Sequence, residues 1–115
     1  MISFFEQNDN SNIVSIGSGL AIEYNKIKDW ARLYRNGQII KQADFNDHTA
    51  KKIFIVETVE LGGIQTKLAE VLEISRQSIH NYVETKKYYG LEGLIHGYSP
   101  PQQNKSKREQ RQANR

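Results

Sequence analysis

No cysteine occurs in the chain, which excludes disulfides and thiolate-bound metal. Histidine is scarce: His48, His80 and His96 lie far apart, a poor start for a metal site. The only two prolines, Pro100 and Pro101, are adjacent and forbid helix at that point. No apolar run approaches the roughly 20 residues of a membrane span. The opening "MISFFEQNDN" has no basic stretch and no long apolar stretch, so no secretory leader is expected. Apolar residues make up 37% of the chain, against about 45–50% in an average domain on a count that includes glycine. These shortages predict one small soluble domain with a modest core, in the cytoplasm, with no membrane partner, no cofactor and no small-molecule substrate.

What is present is charge, unevenly placed. The net charge is +3 over 115 residues. From Gln102 onward Lys105, Lys107, Arg108, Arg111 and Arg115 face Glu109 alone, a surplus of four positive charges in a segment without apolar anchors. The preceding residues are therefore close to neutral. A basic tail of this kind suits a polyanion, or simply keeps a chain in solution.

Four segments follow from the pattern: a flexible lead over 1–12, strands and a hairpin over 13–45, a helical region over 46–98, and a basic linker or tail over 99–115. "NIVSIGSGLAIEY" reads as strand, tight bend at Gly17-Ser18-Gly19, and strand. In "WARLYRNGQIIKQADF" the pair Asn36-Gly37 predicts a two-residue type I′ turn, because both central positions need positive φ. Pairing outward sets Tyr34 opposite Ile39, Leu33 opposite Ile40 and Arg32 opposite Lys41. Trp30, Tyr34, Ile39 and Ala43 then share the face expected to pack on the helices. Asn46 or Asp47 can cap the next helix and Gly62 can end it, so the run Ile53–Val56 is read as helix rather than strand. Its expected apolar face is Ala50, Ile53, Phe54, Val56, Val59 and Leu61.

Residues Gln65 to Glu84 carry the chemistry. Leu68, Ala69 and Leu72 line one side of a short helix, and Ile79, Tyr82 and Val83 one side of the next. The break at Glu73-Ile74-Ser75 separates them. Ala69 stands where two helices can cross closely. This is the pattern of a helix-turn-helix. Ser75 is the expected N-cap of the second helix, Gly90 its stop, and "GLEGLIHGY" a coda folding back through Leu91, Leu94 and Ile95. The second helix then turns Ser75, Arg76, Gln77, His80, Asn81, Glu84 and Lys87 away from the core. Arginine pairs bidentately with guanine, and asparagine or glutamine with adenine, so Arg76, Gln77, His80 and Asn81 are the candidate base readers. Ser75, Lys67, Lys86 and Lys87, with Lys105, Lys107 and Arg108 of the tail, are the candidate phosphate contacts. Glu73 departs from the usual turn, which has glycine there; a left-handed backbone at Glu73 costs about 1–2 kcal/mol.

From Trp30 to Tyr98, and most specifically in "LAEVLEISRQSIHNYV" and "YYGLEGL", the sequence resembles the N-terminal homeodomain-like helix-turn-helix region of bacterial insertion-sequence transposases. The resemblance implies a short β-hairpin before the helices, a "GLEGL"-like coda, and a basic linker leading toward a DDE catalytic domain. It also implies binding to terminal inverted repeats, with recognition falling on Arg76, Gln77, His80 and Asn81. The DDE carboxylates have no counterpart in these residues, so no catalytic residue is expected and the chain is not expected to be an enzyme. The resulting expectation is a mainly α fold, a three-helix helix-turn-helix bundle with an N-terminal β-hairpin and a disordered basic C-terminal tail. The partner expected is double-stranded DNA, with self-association open. A stand-alone transcriptional regulator and a protein–protein adaptor on the same scaffold are the other two readings.

Overall fold

The computed structural model describes residues 11–98. Four strands come first: β1 (Ser11–Gly17), β2 (Leu20–Asn25), β3 (Trp30–Arg35) and β4 (Gln38–Asp44). Four helices follow: α1 (His48–Glu60), α2 (Gln65–Leu72), α3 (Arg76–Tyr89) and α4 (Leu91–His96). The strands form one antiparallel sheet in chain order. This overturns the expected mainly α bundle with a hairpin. The sheet is four-stranded, and the molecule mixes β and α in successive halves, as α+β folds do. The tail expected to be disordered, with most of the expected lead, lies outside the described residues.

The extra hairpin arises at Asn25–Asp29, which has no glycine or proline to announce it. Asn25 and Asp29 make the turn instead. Asn25 Oδ1 accepts from Lys28 N at 2.9 Å, Asp29 N donates to Asn25 O at 2.7 Å, and Asp29 takes φ 62°. Short polar side chains that bond their own backbone do this in place of glycine. The other two turns form as the sequence predicts, at Gly17-Ser18-Gly19 and at Asn36-Gly37, where φ is 52° and 86°.

The hairpin face is a correction. Tyr34 pairs with Ile39 as expected, but the register then shifts, setting Leu33 opposite Lys41 and Arg32 opposite Gln42. Ile40 is the extra residue of a bulge, and the expected Arg32–Lys41 juxtaposition is avoided. Arg32 Nε donates to Gln42 at 3.3 Å, and Lys41 pairs with Glu57 at 3.0 Å. The helices cover Ala31 and Leu33, not Trp30 and Tyr34. Ile39 is half exposed, while Ala43 does pack against the core. Leu33 sits beside Ile22 of β2, and two fully buried aliphatics on a shared face fix which side turns inward.

On the outer face a buried carboxylate organises the polar groups. Glu23 is 7% exposed and accepts from Tyr34 OH at 2.7 Å and from Arg32 at 3.5 Å. Arg32 also lies 4.4 Å over the Trp30 ring. Burial, and then the bond to Glu23, raise the Tyr34 phenol above its usual range.

One core joins sheet and helices. Ile22 and Leu33 from the sheet, Phe54 and Ile55 from α1, Leu68 and Leu72 from α2 and Ile79 from α3 belong to it. Each such side chain, buried, contributes about 1.5–3 kcal/mol. Helix α1 lies against β4 on one side and against α3 and α4 on another. That explains why its buried residues Phe54, Ile55, Val56 and Thr58 are consecutive or nearly so, and why the run resembles a strand. Asp47 caps it, accepting from Thr49 N at 3.0 Å and Ala50 N at 3.1 Å.

The loop from α1 to α2 is fastened to the β1–β2 turn. Ile64 N donates to Ile16 O at 2.8 Å and Ser18 Oγ to Gly62 O at 3.1 Å. A Cβ on Gly62 would stand 2.7 Å from Ser18 Oγ, and its φ is +111°, so both contact and backbone require glycine. At its other end α2 meets the β2–β3 turn, where Lys26 Nζ lies 3.1 Å from Glu73.

Candidate nucleic-acid interface

Helices α2 and α3 are joined by the three residues Glu73-Ile74-Ser75. Glu73 takes φ 60°, ψ 43°, the left-handed conformation, and its N–H bonds back to Ala69 and Glu70 carbonyls. The glycine position of the turn is thus filled by a strained glutamate. Leu68, Ala69 and Leu72 are buried on α2, with Ala69 6% exposed. Ile79 is fully buried on α3, and Tyr82 and Val83 pack partly against the core.

Those inward positions leave the polar stripe outside. Arg76, Gln77 and His80 are exposed; Asn81 and Glu84 are half-buried; Lys87 is exposed. Gln77 Nε2 donates to Asn81 Oδ1 at 2.9 Å, one helical turn on. Gln77 Oε1 and Asn81 Nδ2 remain as the other hydrogen-bonding atoms of the two amides, one acceptor and one donor. That is the combination an adenine edge takes.

Ser75 caps α3 as expected. Its Oγ accepts from Ser78 N at 3.0 Å and donates to Ser78 Oγ at 2.9 Å. The hydroxyl is thereby occupied with its own helix. The first N–H groups, of Arg76 and Gln77, have no intrahelical acceptor and present the positive end of the helix dipole.

The lysines divide. Lys67, Arg76 and Lys87 enter no ion pair among the described residues, whereas Lys86 is held by Glu60 at 2.8 Å. Lys105, Lys107 and Arg108 lie outside the described residues. Among the described residues no three His, Cys, Asp or Glu come together in a way that could hold a metal, and no helix is long and apolar enough to cross a membrane.

The coda is a helix, α4, and folds back as expected only through Leu94, which is 1% exposed. Leu91 and Ile95 are 44% and 52% exposed. Gly93 makes the approach possible: a Cβ there would lie 2.6 Å from Tyr89 Cβ and 2.9 Å from Thr85 Cγ2.

One feature of the sheet's outer face and one beside the site are not anticipated from the sequence. Glu23 could have been found, since alternation in "LAIEYN" puts it opposite in phase to Leu20 and Ile22. The proximity of Lys26 to Glu73 is a long-range contact with no local signal. Comparisons with protein-family models, with curated proteins and with solved structures return no match.

Proposed function

We propose that this chain binds double-stranded DNA sequence-specifically, with α3 in the major groove. The observation that supports it most is the division of labour on α3. Ile79 is wholly buried while Arg76, Gln77 and His80, from the same two turns, are exposed behind a turn whose glutamate is held left-handed. Arg76, Gln77, His80 and Asn81 read bases; Lys67, Lys87, the first N–H groups of α3 and the basic tail contact phosphates. The resemblance to insertion-sequence transposases makes terminal inverted repeats the proposed target and the nucleoid the proposed location.

Selection of bound sequences from random duplex DNA tests this reading. A recovered motif is the expected result. On that motif Arg76→Ala, Gln77→Ala and Asn81→Ala should each cost about 1–3 kcal/mol, and much less on random DNA. Equal losses on both would make them backbone contacts, and failure to retain any duplex would end the DNA reading. Deleting residues 102–115 should weaken binding to all duplexes and flatten the dependence of log K on log salt by up to about 4 units. An unchanged slope would leave the tail without a part in binding.

A further inference from the structure

Ile27 stands at the apex of the β2–β3 turn and is 72% exposed, more than any other large apolar side chain among the described residues. The turn that displays it is firmly built. Besides the bonds within Asn25–Asp29, Tyr24 OH donates to Asp29 Oδ1 at 3.0 Å and Phe45 N to Asp29 O at 2.8 Å. Burial, followed by that bond to Asp29, pushes the Tyr24 phenol up to about 12. A rigid turn holding an isoleucine in water between two lysines, Lys26 and Lys28, is not accounted for by the core.

Its position supplies the account. Lys26 reaches Glu73 at 3.1 Å, in the turn of the helix-turn-helix and two residues before the cap of α3. The apex is therefore joined, through one lysine and one glutamate side chain, to the turn that leads into the helix assigned to the groove. The two partners are 61% and 56% exposed, so the pair is weak and Lys26 can exchange its carboxylate for a phosphate at little cost.

We infer that the β2–β3 turn is a second DNA-contacting element, with Lys26 on a backbone phosphate and Ile27 against the adjoining sugar edge, flanking the bases read by α3. This rests on the DNA-binding reading of α3. Phosphate contacts fix register and carry affinity. An apolar tip beside them suits a groove edge.

The test measures dissociation constants and salt slopes for the full chain on a duplex carrying the selected motif and on random duplex. Ile27→Glu should weaken binding to both at least tenfold. Lys26→Ala should lower the salt slope by about one unit. Ile39→Glu, at a site 51% exposed toward the opposite end of the sheet, is the control and should bind within twofold of wild type. Melting curves matching wild type establish that each variant is folded. The inference is overturned if Ile27→Glu binds within twofold of wild type, or if Ile39→Glu is weakened as much as Ile27→Glu. Should the wild-type chain bind no duplex, the DNA reading itself fails and takes this inference with it. Should the wild type bind and Arg76→Ala weaken it while Ile27→Glu does not, only the inference fails.

Discussion

Glu73 combines one cost and one small gain. Its left-handed backbone, φ 60° and ψ 43°, costs about 1–2 kcal/mol against a relaxed position. Its ion pair with Lys26 is more than half exposed at both ends, and pairs of that kind return about 0–1 kcal/mol. Glycine adopts the same backbone without steric penalty but loses more freedom on folding. The balance favours glycine. Glu73→Gly should raise stability by about 0.5–1 kcal/mol, seen as a rise of a few degrees in the thermal midpoint. A midpoint equal to or below wild type would mean that the glutamate side chain contributes more than an exposed pair does. Trp30 and Tyr34 run against what their side chains suggest. Large aromatics look like core, yet here they sit on the outer face, where Tyr34 and Arg32 satisfy the buried Glu23 carboxylate.

Among the elements, α4 depends most on a single atom's absence. Its six residues are too few to be stable alone, so packing on α1 and, more closely, the contact with α3 hold it. Gly93 sits in that contact, and a methyl group there meets the Tyr89 and Thr85 side chains below 3.0 Å. Gly93→Ala should therefore displace α4, expose Leu94 and cost about 2–4 kcal/mol. Unchanged stability in chemical denaturation would sink that account. The second glycine of "GLEGL", Gly93, thus has a packing meaning that composition does not disclose, whereas nothing lies within 4 Å of a Cβ on Gly90, whose φ is +74°. Much else at this scale was legible. A cap at Asn46 or Asp47, Ser75 as the cap of α3, Gly90 as a stop, both glycine-bearing turns and the bounds of α2 and α3 all follow from local chemistry. What was not legible depended on partners distant in sequence. The β2–β3 hairpin is closed by Asn25 and Asp29 rather than glycine, and the inward face of β3 is set by Ile22 across the sheet. At the candidate site the exposure of Arg76, Gln77 and His80 followed from the helical period around Ile79. The tie from Lys26 to Glu73 spans 47 residues and no periodicity announces it.

For the whole molecule the decisive fact is the shared core. Leu68 and Leu72 of α2 and Ile79 of α3 bury themselves in one cluster with Ile22 and Leu33 of the sheet. Removing residues 1–45 would bare that surface, and a fragment of about 50 residues seldom has core to spare. The excised segment 46–98 should show no cooperative melting transition, whereas the full chain should show one. A sharp transition in the fragment would mean that the helices are stable without the sheet.

The chain has a single tryptophan, and it sits in β3 beneath the Arg32 guanidinium, on the sheet face away from the helices. Its emission therefore reports on the sheet alone, while ellipticity near 222 nm is dominated by the four helices. Two optical signals thus follow the two halves of one protein without any label. If both halves unfold as one unit, the curves superimpose. The same placement makes Trp30 a quiet observer of α3: a ligand confined to Arg76 and Gln77 leaves the indole's surroundings intact, and quenching during a titration would point to contact with the sheet or with the β2–β3 turn that leads into Trp30.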